Sequence, residues 1–363
     1  MPSVSQSFLF ASGYGAADQP GIHAFSFDGT SGTLTPHGSF RGILNPSYVV
    51  VHPNRQWLYA ASETAKEGDG QFGQVWSFRF TREPFALESM NHQTTDGDWP
   101  CHLRIDATGK WIIAANYGTG NAAVYPILDD GSLGAMTDFV QHSGTGPNAA
   151  RQEGPHAHSS TFTPDNRFVI IADLGIDQLV IYSFDAATGK FGRHSVAKSQ
   201  PGAGPRHTIF HPNGKWFYAA NELGCTVSVY EYDAVQGTLE EKQNISTLPS
   251  DAQVNALPNG PETIVADIHI SDSGKRLYVS NRGHNSIAVY DIQDDGSLSL
   301  VSIPSCGGDW PRNFALAPGG GFMLVANQYS NEVCVLPVLE GKEALGAPTA
   351  RVSLQGASCI QFV

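Results

Sequence analysis

The chain has 363 residues, and 34 acidic against 21 basic side chains give it a formal net charge of -13 at pH 7. This surplus of carboxylates argues against general binding to nucleic acids or anionic membranes, which requires a basic surface. Hydrophobic residues make up 41% and charged residues 15%, as expected for a folded globular protein. An anionic ligand would therefore have to be small and bound by a local group of cations.

The N-terminal segment, MPSVSQSFLFASGYG, has no basic region, and its apolar stretch is too short for a signal peptide. No later run is long enough to span a membrane. The cysteines are odd in number and lack CxxC spacing, which favours reduced thiols over a disulfide framework or a zinc site. They are Cys101, Cys225, Cys306, Cys334 and Cys359. We therefore expect a cytoplasmic protein.

The first predicted elements are three short strands, at 8–15, 21–29 and 32–38. They correspond to the second, third and fourth strands of the unit that follows, and no first strand precedes them. The last residues, 357–363, resemble the first strand at 47–51 and would complete this incomplete sheet. We therefore predict that the C-terminal strand joins the N-terminal sheet.

From residue 47 onwards one unit recurs six times, most fully as HTIFHPNGKWFYAANELGCTVSVYEY from His207. Its turns fall at Pro53, Ala107, Pro164, Pro212, Asp272 and Pro318. Each unit has alternating strands joined by tight polar turns, several with Asp-Gly or Thr-Gly, as in an antiparallel meander. Such sheets bury both faces when they pack radially around an axis. With the composite sheet, the sequence predicts an all-β, seven-bladed β-propeller of four-stranded blades, a single domain over 1–363.

Three connections are long and rich in Gly, Pro and small polar residues, at 63–74, 142–156 and 247–263, and are predicted to be surface loops. The first contains a GxGxxG spacing from Gly68 to Gly73. It leads into a strand and not a helix, so we do not interpret it as a dinucleotide site. No cofactor is predicted.

The repeat indicates which side chains share one rim of the channel. In the fifth blade the turn centres on Gly214, so Arg206 and Glu222, each eight residues away, should lie together on the opposite face. Six residues before each turn the sequence has Ser47, Cys101, His158, Arg206, Ala266, Arg312 and, from the composite blade, Ser358. Ten residues after each turn it has Glu63, Tyr117, Leu174, Glu222, Arg282 and Gln328.

Three arginines on one rim of an acidic protein predict a trap for a carboxylate or phosphate, since guanidinium groups bind oxyanions bidentately. Structural roles stay open for each residue. Arg206 and Glu222 could form a buried ion pair, Arg282 an interblade ion pair, and Arg312 a charge stacked on an aromatic ring. His158 could be a hydrogen-bonded structural residue. A metal pair with His156 lacks a third ligand, so no metal is predicted.

Three motifs carry a resemblance to a known family: GAGPRH-x-x-FHPNGK-x-x-Y-x-x-NEL, ADIH-x-S-x-x-GK-x-LYVSNR, and the H-x-x-x-x-x-PD element that contains His158. With them the chain resembles the lactonase family of seven-bladed propellers over nearly its whole length. The resemblance implies a metal-independent site at the channel mouth that opens or closes lactones. The extended loops at 63–74 and 142–156 are where we expect this chain to differ from better-known members.

Carried over by motif, the resemblance implies the catalytic residues His158, Arg206, Glu222 and Arg282. We add as expected substrate-binding residues Arg312, Glu63, His156, Tyr117 and Gln328. The expected reaction is hydrolysis of a small anionic sugar-acid lactone, of the 6-phosphogluconolactone or aldaro/uronolactone kind. His158 would activate water and Arg206 or Arg282 would stabilise the oxyanion.

Two alternatives stay open. One is a cycloisomerase of the 3-carboxy-cis,cis-muconate type, in which the same histidine moves a proton beside a carboxylate. The other is a non-enzymatic propeller that serves as a binding scaffold. The expected partner is the lactone substrate, with no nucleic acid or membrane, and the expected state is a monomer or weak homodimer.

Overall fold

Seven four-stranded antiparallel sheets make up the protein in a computed structural model that describes residues 6–250 and 263–363. The innermost strand of each sheet contacts the innermost strands of its two neighbours, so that the sheets form a closed ring around an axis. This confirms the predicted all-β, seven-bladed β-propeller. Residues 251–262 of the predicted connection at 247–263 lie outside the described residues.

Blades are numbered along the chain and their strands are given from the axis outwards. Blade 1 contains β28 (Ala357–Phe362), β1 (Gln6–Gly13), β2 (Ile22–Asp28) and β3 (Thr33–Phe40). Blade 2 contains β4 (Pro46–Val51), β5 (Trp57–Ser62), β6 (Gln74–Arg82) and β7 (Phe85–Thr94). Blade 3 contains β8 (Pro100–Ile105), β9 (Trp111–Asn116), β10 (Asn121–Pro126) and β11 (Asp138–Gln141). Blade 4 contains β12 (Ala157–Phe162), β13 (Phe168–Asp173), β14 (Gln178–Asp185) and β15 (Lys190–Lys198).

The other three blades follow the same order. Blade 5 contains β16 (Pro205–Phe210), β17 (Trp216–Asn221), β18 (Thr226–Asp233) and β19 (Thr238–Ser246). Blade 6 contains β20 (Ile264–Ile270), β21 (Arg276–Arg282), β22 (Ser286–Ile292) and β23 (Leu298–Ser302). Blade 7 contains β24 (Pro311–Leu316), β25 (Phe322–Asn327), β26 (Glu332–Pro337) and β27 (Ala350–Ser353). A single helical turn, α1 (Lys66–Asp69), lies in the connection at 63–74.

The two ends of the chain close the ring in blade 1. Strand β28 pairs antiparallel with β1, from Phe362 opposite Leu9 to Ala357 opposite Gly13. The C-terminal segment thus supplies the first strand that the N-terminal segment lacks, as the sequence predicts.

Blade 5 shows how the sequence builds a blade. Every residue of β17 is buried, because Phe217 packs toward blade 4 while Tyr218 packs toward blade 6. The outer strand β19 alternates between exposed and half-buried residues, so one face packs and the other meets solvent. In the turn between β16 and β17, Gly214 has a φ of 71° and its N–H donates to the His211 carbonyl at 2.9 Å.

Each innermost strand contains a β-bulge near the end away from this turn. In blade 5, Pro205 pairs with Asn221 and Thr208 with Ala219, so that Arg206 and His207 lie opposite one residue. The extra residues of the seven bulges include Ser47, Cys101, His158, Arg206, Ala266, Arg312 and Ser358. A bulge breaks the alternation of the strand and redirects the extra side chain. The bulges therefore fall on the whole set of rim positions that the repeat singles out.

All five cysteines are buried. Within residues 6–250 and 263–363, no helix is long and apolar enough to cross a membrane.

Candidate active site

The rim that carries the bulges surrounds a cavity of about 220 Å³. It is lined by Glu63, Trp99, Cys101, Tyr117, Arg151, His158, Glu222, Ile264, Arg282 and Arg312. Six of these were expected site residues, namely His158, Glu222, Arg282, Arg312, Glu63 and Tyr117. The structure thus brings most of the predicted residues to one cavity at the mouth of the channel.

A buried carboxylate at the floor of the cavity organises the cations. One oxygen of Glu222, Oε2, accepts hydrogen bonds from Arg206 Nε at 2.9 Å and Arg282 Nη2 at 2.7 Å. The other, Oε1, accepts from Arg151 Nη2 at 2.6 Å. Burial alone would raise the pKa of Glu222, but Arg282, Arg206 and Arg151 together lower it to about 2. Glu222 is therefore an anion at neutral pH and does not exchange a proton.

Two of these cations are buried so deeply that burial weakens their hold on the proton. It lowers the pKa of Arg282 to about 10, although the charge of Glu222 opposes the shift. The pKa of Arg206 is also lowered by burial and supported by Glu222. Both guanidinium groups remain charged at neutral pH, and Arg282 also lies over the ring of Trp310, 5.6 Å from its centroid.

His158 lies beside this cluster with a neutral ring. Its Nε2 is 3.9 Å from Glu222 Oε2, and its Nδ1 is 3.4 Å from Cys101 Sγ. Burial, and after it the charge of Arg206, holds the pKa of His158 well below its usual range. The ring edge meets Tyr117 at a centroid distance of 5.4 Å. A neutral imidazole in this position can accept a proton from a molecule in the cavity.

The opposite wall of the cavity carries a second charged pair. Arg312 Nη2 is 3.8 Å from Glu63 Oε2, to which the Tyr14 hydroxyl donates at 2.7 Å. The Arg312 guanidinium lies over the Tyr14 ring, 5.1 Å from its centroid. Arg312 therefore stacks on an aromatic ring, that of Tyr14, whereas the Trp310 ring stacks against Arg282.

Three expected site residues lie outside the cavity lining. Arg206 lies behind Glu222, and one of its Nη atoms donates to the carbonyl of Ala266, so its guanidinium is directed into the wall between blades. Its guanidinium does not line the cavity, and its expected contact with the substrate stays a prediction. A buried arginine with these partners holds Glu222 in place.

His156 contacts Tyr117 and is not among the residues that line the cavity. Its Nδ1 bonds to the backbone carbonyl of Tyr117 at 2.8 Å, and its ring stacks on that tyrosine at a centroid distance of 4.4 Å. Gln328 is absent from the lining, and its side-chain Oε1 is buried without a hydrogen-bond partner among the described residues. Neither side chain lines the cavity, and direct substrate contact stays a prediction for both residues.

Sequence reasoning missed four residues of the site, one of which is Ile264 at the start of β20. Tyr14 follows β1 as Glu222 follows β17, so it is the member of the second rim position that blade 1 contributes. Extending the repeat to the composite blade could have found it. Trp99 and Arg151 lie in connections before innermost strands, where the repeat assigns no position.

The residues described in 6–250 and 263–363 contain no group of three His, Cys, Asp or Glu side chains placed to hold a metal ion. His156 and His158 have separate partners, the former at Tyr117 and Glu153 and the latter at Cys101 and Glu222. The charged chemistry of the site thus comes from arginine, glutamate and neutral imidazole.

Comparison with known proteins gives consistent results. A family model described as "Lactonase, 7-bladed beta-propeller" matches residues 8–362. The chain is 34% identical over 352 residues to a 6-phosphogluconolactonase of Bacillus subtilis, covering 96% of each chain. It is 33% identical to a 6-phosphogluconolactonase of Formosa agariphila over 87% of each chain. Among solved structures it is similar to a periplasmic gluconolactonase of Pseudomonas aeruginosa, with a TM-score of 0.90, 28% identity and 99% of each chain covered.

Proposed function

The chain belongs to the lactonase family of seven-bladed β-propellers, and on that premise we propose that it hydrolyses a small anionic sugar-acid lactone of the 6-phosphogluconolactone or aldaro/uronolactone kind. The family makes it a lactonase. The kind of lactone is proposed from the names of its relatives and from the arginines of the cavity. The roles of individual residues are proposed from the contacts described above.

Arg282 is the group proposed to stabilise the oxyanion. Attack on a lactone carbonyl places negative charge on its oxygen, and a fixed cation in a site shielded from water stabilises that charge strongly. Arg282 lines the cavity and is held by Glu222 and by the backbone carbonyl of Val265 at 2.8 Å. Its position is thus set before the substrate binds.

His158 is proposed to move the proton. Its neutral ring takes a proton from water as the water oxygen bonds to the carbonyl carbon. When the ring C–O bond breaks, the imidazolium returns that proton to the leaving alkoxide. The products are a hydroxyl group and a carboxylic acid, which releases its own proton to solvent at neutral pH.

Glu222 and Arg206 act as positioning residues in this scheme. Glu222 receives both Arg206 and Arg282 on a single oxygen, so removing either arginine changes where the other lies. Its charge near His158 also favours the imidazolium that forms during the reaction. Arg312, on the opposite wall, adds positive charge that attracts an anionic substrate.

One observation supports the proposal above all: a neutral imidazole and a fixed guanidinium face the same cavity beside a carboxylate that stays ionised. The test is proton release from a panel of lactones, comparing 6-phosphoglucono-, glucono-, galactaro- and muconate-type compounds with buffer alone. Opening of a sugar-acid lactone well above the buffer rate is expected. Turnover of the muconate-type compound alone would favour the cycloisomerase, and no turnover of any compound would favour a binding scaffold.

We also propose the cytoplasm as the compartment of this protein, because its cysteines are odd in number and lack CxxC spacing, which suits a reducing environment. Fractionation of the native host, followed by detection of the protein, tests this. Detection outside the cytoplasm would contradict it. A monomer or weak homodimer stays a prediction, to be tested by sedimentation velocity over a range of protein concentrations.

A further inference from the structure

The four arginines of the site differ in how far they reach toward solvent. The exposed fraction of the side chain is 2% for Arg206, 5% for Arg282, 17% for Arg312 and 29% for Arg151. The deepest of them are held by Glu222 at the level of His158. Arg151 contacts the same carboxylate from above and forms the outer wall of the cavity. The site therefore has a cation at its mouth as well as cations at its floor.

Arg151 is held by an ordered loop. The adjacent Gln152 is buried, and its side-chain Nε2 donates to the Leu174 carbonyl and to Asp177 Oδ1, both at 2.8 Å. Its Oε1 accepts from the backbone N–H of Asn148 at 3.0 Å. Arg151 Nη2 additionally donates to the Tyr117 hydroxyl at 3.2 Å. The loop at 142–156 thus fixes the base of Arg151 while its guanidinium faces the opening.

The charges at the site exceed what its own carboxylates can balance. The cavity lining has three arginines against Glu63 and Glu222, and 3 minus 2 leaves one positive charge, since His158 is neutral. Glu222 already receives Arg206 and Arg282 on Oε2, so Arg151 is the partner that can be shared with a ligand without freeing these two. The positive charge of the lining favours an anionic substrate.

We propose that Arg151 binds the anionic group at the end of the lactone far from its carbonyl, and that it selects substrates carrying a phosphate there. This inference rests on the proposed lactonase function. With the carbonyl at the floor beside His158 and Arg282, the other end of a sugar lactone extends toward the mouth. Arg151 Nη2 donates to Glu222 and Tyr117, so its Nε and Nη1 N–H groups are the ones that can donate to a phosphate at that height.

A purely structural role would make Arg151 only a counter-ion of Glu222. The two roles predict different kinetics. Loss of a counter-ion disturbs Glu222, Arg282 and the oxyanion site, so it slows every lactone to a similar degree. Loss of a phosphate ligand weakens binding of the phosphorylated lactone specifically.

The experiment uses the full-length protein and three variants: R151Q, R151K and the control R55Q, which removes one positive charge at an exposed turn on the opposite face. KM and kcat are measured with 6-phosphoglucono-, galactaro- and glucono-lactone. The control should match wild type on all three. In R151Q, the preference in kcat/KM for the phosphorylated over the uncharged lactone is expected to fall about tenfold or more, mainly through KM.

R151K keeps the positive charge but lacks the planar guanidinium, so its preference in kcat/KM for the phosphorylated lactone should lie between those of R151Q and wild type. Its unfolding midpoint shows whether the substitution disturbs the fold. A loss of preference for galactarolactone equal to that for the phosphorylated lactone would overturn selection of phosphate. An equal fall in kcat/KM for all three lactones would overturn the inference alone, since wild type remains a lactonase. An inactive wild type would instead overturn the proposed function together with this inference.

Discussion

Glu222 is the residue on which the arrangement of the site depends most. One buried carboxylate receives three guanidinium groups, and two of these meet at the same oxygen. A buried carboxylate and its cationic partners stabilise one another. If one of them were removed, the charges left behind would still carry their desolvation penalty without a compensating partner. The same charges that build a candidate catalytic centre therefore also support the fold around it.

Replacing Glu222 by glutamine tests this. The amide keeps the volume of the side chain but leaves Arg206 and Arg282 as buried, uncompensated cations. We expect the free energy of unfolding in urea to fall by about 3–5 kcal/mol. The matched control is E231Q on β18, whose carboxylate pairs with Lys215 at 3.1 Å and Lys242 at 3.2 Å in solvent. E231Q should lower the free energy of unfolding far less, because solvent screens surface ion pairs. Equal losses of stability in E222Q and E231Q would contradict the account.

Individual site residues could be predicted where the repeat defines a position. His158 lies six residues before its turn, and Glu222 and Arg282 lie ten residues after theirs, so aligning the turns was enough to place them on one rim. Arg151 lies in a connection without equivalents in the other blades, and its contact with Glu222 arises from chain segments 71 residues apart. No local sequence pattern predicts such a contact.

At the scale of the strand, the bulges decide where the site side chains are directed. The strands themselves were predictable, because alternation and tight turns are local features of the sequence. A β-bulge shifts the register between two paired strands, and the sequence of one strand does not show it. Counting residues from the turn assumes that the strands pair without such a shift. The count still found Arg206 and Glu222, because all innermost strands share the bulge and the error is common to every blade.

The backbone before an innermost strand is also unusual. Asn45, Trp99, Gly204 and Trp310 each have a positive φ, and each precedes the proline that begins its strand. In blade 5 this position is glycine, with a φ of 64°, and an added Cβ would lie 2.8 Å from Leu223 Cγ. The chain therefore reaches Arg206 through a conformation that a side chain would strain.

We expect Gly204→Ala to lower the free energy of unfolding by about 1–2 kcal/mol from the backbone conformation alone, with the contact to Leu223 adding to this. Activity should fall as well, because Arg206 and Glu222 shift with the strand. Denaturation in urea and lactone kinetics measure the two effects. The control is Gly321→Ala, where a Cβ would meet nothing within 4 Å. A G204A protein as stable as this control would show that the strand tolerates the change.

At the scale of the molecule, the ring places polar and charged groups in a channel shielded from water. Below the rim, His207 pairs with Asp267 at 2.7 Å, and its ring lies 5.3 Å from that of His102 between centroids. Burial is the largest cause that lowers the pKa of His102, His158 and His207, the last to about 4. The folded protein thus keeps these rings neutral where an unfolded chain would protonate them.

This gives stability a defined pH dependence. Below an unfolded-state pKa of about 6.5, the unfolded chain binds protons that the folded chain does not, so stability is lost as the pH falls. Between pH 6.5 and the folded value of about 4 for His207, we expect a slope approaching 1.4 kcal/mol per pH unit for each such histidine. Urea denaturation at pH 7.5, 6 and 5 measures it. Replacing the exposed His37 by asparagine should leave the slope unchanged, and a flat profile in wild type would refute the prediction.

Closure of the ring was predictable because both ends of the chain carry parts of one repeat, and the missing strand could be recognised by its sequence. The composition of the cavity could not be predicted in the same way, since side chains from several blades and one loop meet in this space of about 220 Å³. Fold thus follows from the repeat, while substrate choice follows from how the blades meet.

The most direct test of the central claim is the rate of proton release from 6-phosphogluconolactone by wild type and by H158N. Asparagine keeps a polar side chain but cannot accept and return a proton. If His158 is the base beside Arg282, kcat should fall by about a hundredfold or more while the protein stays folded, and H37N should be as active as wild type. An H158N protein that is folded and opens the lactone at the wild-type rate would contradict the account.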